Sequence, residues 1–293
     1  MAGGISNYAQ AKLLDHMIRG NAASWTNTAD HKLKLFTAAP DYDAGSGGTE
    51  KASGNGYTTG GNAVAMSSTN WNAVTSQGNG YRVSNKATSA FSWTANTADW
   101  ASAVVGAACF DNAGTNLLYG KNIDSSRLVY NGDTIRFDAA AMKIDLDVTT
   151  DAGISNLWKQ AAMGHLFNLT AYSAPATAYI ALFTGNGNFR TGVYGGFTEC
   201  AGTNYDRIAV TMNTAWNATN ASTGICTNAT AFNTWAQAST NWGNIIGAAL
   251  VLTAGKGNDW TTGFLAGNAF TSVPTNTGDT FSIAAGSFSV KID

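Results

Sequence analysis

The sequence predicts a mainly β protein built from two tandem β-sandwich or jelly-roll-like domains, each opening with one short N-terminal α-helix. Three observations lead there. First, the closing motif of the chain occurs twice: Asn131-Gly132-Asp133-Thr134-Ile135-Arg136-Phe137 runs into Met142-Lys143-Ile144-Asp145-Leu146-Asp147, and Thr277-Gly278-Asp279-Thr280-Phe281-Ser282-Ile283 runs into Phe288-Ser289-Val290-Lys291-Ile292-Asp293. Second, a collinear series of shorter motifs precedes each copy. Gly4-Ile5-Ser6-Asn7 returns as Gly153-Ile154-Ser155-Asn156, Leu35-Phe36-Thr37 as Leu182-Phe183-Thr184, and Thr49-Glu50 as Thr198-Glu199. Trp93 and Trp100 return as Trp235 and Trp242, and Gly106-Ala107-Ala108 as Gly247-Ala248-Ala249. Third, apolar residues fall at every second position over short runs, the period of a strand with one buried face. An unbroken order of this kind marks a tandem duplication. It divides the 293 residues into a first domain over 1–147, a short linker over 148–152 and a second domain over 153–293.

The helix comes first in each copy. Ser6-Asn7 offers a cap, Asn7 with Gln10 fits a capping box, and Tyr8, Leu13, Leu14, Met17 and Ile18 recur at helical spacing until Gly20. Leu157, Trp158, Ala161, Ala162, His165, Leu166 and Phe167 follow the same plan. From Lys32 the period becomes alternating, and Tyr179-Ile180-Ala181-Leu182-Phe183 reads as the matching buried strand. A Gly- and Asp-rich excursion follows, Asp41 to Gly61 in the first copy and Gly185 to about Asn204 in the second, with a composition that packs no core and a length that suits contacts or function. Short strands come next: Ala63–Met66, Phe91–Trp93, Ala103–Phe110 and Leu117–Tyr119, against Ile208–Met212, Phe232–Trp235, Ile245–Leu252 and Gly263–Leu265. Six to eight such strands per copy, with turn signals between them, predict a sandwich or jelly roll. The three prolines of the chain suit strands that must donate to ladders. The linker Val148-Thr149-Thr150-Asp151-Ala152 is too short to let the domains wander.

Composition narrows the function. Charged residues make up 12% of the chain, below the roughly 25% usual for soluble domains, so the polar surface is hydroxyl, amide and backbone. A net charge of −2 with scattered Lys and Arg predicts no nucleic-acid partner. No apolar run approaches a bilayer span and the N-terminus lacks the pattern of a signal peptide, which predicts a protein made in a cytoplasm with no membrane partner. The three cysteines, Cys109, Cys200 and Cys226, form no metal spacing, and only Cys200 and Cys226 share a repeat in which to pair.

Each candidate for chemistry has a plainer structural reading. His16 and His165 occupy equivalent helical positions, where a histidine is expected to pack at an interface or core. Asp41-Tyr42-Asp43-Ala44-Gly45 with Glu50 has oxygen donors at alternate positions but lacks the rest of a calcium loop. Trp100 and Trp242 suit sugar stacking or, better, packing. The most faithfully repeated acids sit in the turns Gly132-Asp133-Thr134 and Gly278-Asp279-Thr280, where Asp caps backbone amides and Gly supplies the dihedral. No catalytic, cofactor-binding or metal set is predicted, so the chain is expected not to be an enzyme.

The runs Glu199-Cys200-Ala201-Gly202-Thr203-Asn204-Tyr205-Asp206-Arg207, Ala98-Asp99-Trp100 and Cys109-Phe110-Asp111-Asn112-Ala113-Gly114-Thr115-Asn116-Leu117-Leu118-Tyr119-Gly120 resemble a family of tailed-phage virion proteins usually labelled tail-fibre-like or minor structural. The opening helix, Leu-Phe-Thr and the closing Gly-Asp-Thr strand pair extend the resemblance over nearly all of both repeats. The first repeat departs from it with Tyr57-Thr58-Thr59 where the second has Tyr205-Asp206-Arg207, so the arginine is expected to be dispensable to the fold. The resemblance implies a non-enzymatic virion structural protein. The favoured expectation is a capsid decoration, or cement, protein on the head surface: two linked copies touch the major capsid protein at neighbouring sites. Other virion proteins and self-association are the further partners expected. A tail-fibre, baseplate or receptor-binding protein is the alternative, and a glycan-binding module or depolymerase a third, which would need two placed carboxylates.

Overall fold

The computed structural model describes residues 4–5, 7–19, 30–76, 80–147, 153–154, 156–167, 172–185, 187–189, 196–220, 223, 225–256 and 263–291. The linker 148–152 lies outside these, as do Ser6 and Gly20, the expected cap and stop of the first helix.

The first half runs β1 (Gly4–Ile5), α1 (Asn7–Arg19), β2 (His31–Ala38), β3 (Thr49–Glu50), β4 (Asn62–Val64), β5 (Thr75–Ser76), β6 (Gly80–Ser84), β7 (Ser92–Thr94), β8 (Val104–Phe110), β9 (Leu117–Arg127), β10 (Thr134–Arg136) and β11 (Lys143–Asp147). A six-stranded antiparallel sheet has the order β1-β9-β8-β2-β3, with β4 beside β3 along the same edge of β2. Facing it are short ribbons, β10-β7 and β11-β6-β5. The second half repeats the plan with β12 (Gly153–Ile154), α2 (Asn156–Phe167), β13 (Thr177–Gly185), β14 (Thr198–Glu199), β15 (Ile208–Thr211), β16 (Ile225–Thr227), β17 (Gly243–Val251), β18 (Phe264–Thr275) and β19 (Ser289–Lys291). Its six-stranded sheet is β12-β18-β17-β13-β14 with β15 on β13, and its ribbon is β16-β19. Phe232 and Ile283 bridge where β7 and β10 pair in the first half. The fold is thus mainly β, in two tandem sandwich-like halves.

Two pairs of strands escape the period-two reading. β6 and β16 are short runs among Ser, Asn and Thr, recognisable only once β11 and β19 lie beside them. β9 and β18 run on to Arg127 and Thr275, well past the apolar residues at their starts. Their outer parts are polar or exposed on both sides and are strands because β8 and β17 supply the ladder.

The helices join the halves. α1 packs against β9 of its own sheet and against β16 of the other half; α2 packs against β18 and against β6 of the first half. Each helix therefore covers a ribbon of the opposite half, and the burial it gains there outweighs the weak intrinsic stability of so short a segment. α1 buries Ala9, Leu13, His16 and Ile18, while α2 buries Trp158, Lys159, Ala162, Met163 and His165. One continuous core results, running from Leu13, Leu33 and Trp71 through Trp158 and Met163 to Ile180, Trp216 and Val290.

The long excursions fold back over the outer faces of the sheets, against the expectation from their composition. A few aromatics in each do the packing. Tyr57 reaches the main core, and Tyr42 joins Phe36, Ala108 and Leu117 outside the first sheet. Phe189 and Phe197 join Phe183, Val251 and Phe264 outside the second. The aromatics need glycine beneath them: a Cβ at Gly120 would lie 2.5 Å from the Tyr42 ring, and one at Gly267 would run into Phe189.

Burial also leaves a titration signature. His31, at the start of β2, is 5% exposed and its Nδ1 lies 3.4 Å from the Tyr119 hydroxyl. Desolvation, opposed weakly by Asp111, pulls its pKa down from 6.5 to about 4. The folded state thus holds His31 neutral while the unfolded chain takes up a proton, so its contribution is complete above pH 6.5 and is lost as pH falls towards 4. The loss amounts to about 3 kcal/mol. Urea titrations at pH 7 and pH 4.5 should show that part of the acid sensitivity missing from His31→Leu.

Candidate functional site

The duplicated turns are built alike. Gly132 and Gly278 take φ of +88° and +94°. The Asp133 carboxylate accepts from the Tyr130 N–H at 3.2 Å, and that of Asp279 from the Asn276 N–H at 2.8 Å. The main chain on either side clasps one residue of the facing segment: Ala95 N–H donates to Asp133 O and receives Gly132 N–H on its own carbonyl, as Ala238 does with Asp279 and Gly278. Thr134 Oγ1 lies 2.8 Å from Thr94 Oγ1, and Thr280 is exposed. An added Cβ at either glycine meets nothing within 4 Å. Gly132→Ala and Gly278→Ala should therefore each cost only the left-handed penalty, about 1–2 kcal/mol; a loss of binding without a loss of melting temperature would instead mark a contact site.

A second duplicated unit holds the base of each excursion, and sequence reading took it only in pieces. In the first half the Tyr57 hydroxyl donates to Glu50 Oε1 at 2.9 Å and accepts the Leu35 N–H at 3.2 Å. In the second, Tyr205 donates to Glu199 Oε1 at 3.0 Å and accepts the Leu182 N–H at 2.8 Å. Burial, and then the Glu199 charge, push the Tyr205 hydroxyl far up in pKa and keep it a donor. Trp100 and Trp242 stand edge-on to these tyrosines and donate their indole N–H to Asn55 O and Thr203 O, both at 2.9 Å. They are 2% and 3% exposed, so no sugar reaches their faces. The glutamates differ in their cation. Arg207 binds Glu199 through two nitrogens at 2.7 and 2.8 Å. In the first half Lys34, from β2, approaches Glu50 at 3.3 Å, and Gly60 N–H adds a bond at 2.6 Å. The first half does without the arginine because another element, β2, supplies the charge.

His16 and His165 meet where the two helices come together, their rings stacked at 4.4 Å and 13°. Tyr172 ties both, its carbonyl 3.1 Å from His16 Nε2 and its N–H donating to His165 Nδ1 at 3.3 Å. This is an interface role. Asp41 Oδ1 is taken by the Asp43 and Ala44 amides, as in a turn, and no described group of three or more His, Cys, Asp or Glu is arranged to hold a metal. The three cysteines are free and buried, and burial pushes the Cys109 thiol up to about 12.

Leu128, Tyr130, Leu252, Phe270 and Val273 are the large apolar side chains exposed among the described residues. Phe270 and Val273 lie on β18, and Leu128 and Tyr130 directly follow β9, the strands next to the short edge strands β12 and β1. No helix among the described residues is long and apolar enough to cross a membrane.

No curated protein matches the chain. Residues 4–145, and again residues 153–291, match the family described as Podophage GP4 fiber I protein gp80. The two matches coincide with the two halves of the fold, and the chain accordingly belongs to that family of phage virion structural proteins, carrying it twice in tandem.

Proposed function

We propose that the chain is a non-enzymatic, fibre-type component of the virion that works by presenting protein surface. The family description, matched twice, is the observation that carries this reading. The acids support it, since Glu50, Glu199, Asp41, Asp133 and Asp279 are all engaged in holding backbone or side chains of the fold. Capsid decoration is the second reading, with the major capsid protein as partner. It draws on the duplication, yet the helices that cross between halves make the two copies one unit, so bridging of capsomers would rest on two faces of a single body. Co-sedimentation of the purified protein with isolated heads and isolated tails of a phage lacking it separates the two. Saturable binding to tail or neck assemblies is expected; binding to heads at a fixed ratio to the major capsid protein would instead establish decoration. Release of reducing ends from host glycans by the purified protein would overturn the non-enzymatic part.

A further inference from the structure

The two halves fill equivalent space differently. In the first, a cleft of about 200 Å³ opens between the sheet and the β11 ribbon, with Cys109, Ile123, Phe137, Met142 and Ile144 on its apolar wall. Three of these side chains are smaller than their counterparts in the second half. Cys109 stands where the second half has Leu250, each three residues beyond the repeated glycine, Gly106 or Gly247. Ile123 stands where it has Phe270: each directly follows the last ladder pair before the strand bulges, Gly106 with Asn122 and Gly247 with Ala269. Met142 stands where it has Phe288: each N–H donates to the side-chain carbonyl of the matching asparagine, Asn85 or Asn228, at 2.9 Å. In the second half the Phe270 ring stacks on Phe281 at 6.2 Å, and Phe281 and Phe288 are buried. The cleft is thus room that aromatic side chains take up in one copy of the fold and leave open in the other.

Its size and lining suit the same guest. A cavity of roughly 150 Å³ is enough to take a benzene ring. The Phe137 ring and the Met142 thioether both pack favourably on an aromatic face or edge. Lys121, Asp124 and Lys143 also border the cleft. Asp124 lies 3.9 Å from Lys121 with its side chain 98% exposed, so water screens that pair and the mouth keeps a net positive charge.

We propose that the first-half cleft binds a small molecule made of one aromatic ring and an anionic group, the ring between Phe137, Met142 and Ile123 and the charge at Lys121 and Lys143. The second half, with its own rings in place, has no equivalent site.

Methyl NMR on the full chain, with 3-phenylpropionate as the probe, tests this. Saturable shifts are expected at the Ile123, Met142 and Ile144 methyls, with a dissociation constant of about 1 mM or tighter. 3-Phenylpropanamide, the same ring without the charge, should bind more weakly. Lys143→Gln, a change at an exposed side chain, should shrink that difference. Ile123→Phe gives the first half the ring of the second and should weaken binding by roughly tenfold or more while the melting temperature holds. The wild-type shifts and the comparison of acid with amide decide the matter even if that variant fails to fold. No saturable shifts at these methyls, an amide that binds as tightly as the acid, or a folded Ile123→Phe that binds like wild type would each overturn the proposal.

Discussion

Arg207→Met is expected to lower the unfolding free energy by about 3–5 kcal/mol, whereas Lys34→Met should cost roughly 1 kcal/mol. The two positions serve equivalent glutamates in different surroundings. The Arg207 and Glu199 side chains are 0% and 4% exposed, and the guanidinium also donates to the Thr253 carbonyl and hydroxyl, both at 2.8 Å. Its removal takes the bidentate cation from a buried carboxylate and a donor from the Thr253 carbonyl and hydroxyl. Lys34 and Glu50 are 11% and 18% exposed, and Glu50 Oε1 keeps the Tyr57 hydroxyl and the Gly60 amide when the lysine goes. Partial hydration covers the rest. Urea midpoints followed by tryptophan fluorescence would measure both, and an Arg207→Met loss no larger than that of Lys34→Met would show the buried pair to be close to neutral.

Cutting the chain within 148–152 is expected to leave the halves bound to each other. α1 buries Leu13 and Ile18 in a core it shares with the second half, and α2 brings Trp158 and Met163 to the first, so separation would expose both helices and both ribbons. A protease site placed in the linker, followed by size exclusion at neutral pH, gives the readout: the cut protein should elute with the intact chain and unfold in one transition. Two species of half mass would mean that each half closes its own core. The result bears on the virion too, since two copies locked this way offer two related faces in a fixed geometry and not two modules on a tether.

The sequence by itself determined the duplication, the mainly β class, the two opening helices and the small residues under each turn, because these are local patterns repeated in order. The plainer readings of His16, His165, Trp100 and Trp242 follow from residue type and are the ones the structure displays. What only the tertiary structure decided has a common physical cause: interactions between residues far apart in the chain leave no period in it. The crossing of each helix onto the opposite half depends on burial shared between repeats, and nothing in an amphipathic pattern says which ribbon the apolar face meets. The outer lengths of β9 and β18, polar or exposed, are strands only because a neighbour supplies their hydrogen bonds. Glu50 and Glu199 look alike in sequence, and it is the fold that brings a lysine from β2 to one and an arginine from beside Tyr205 to the other.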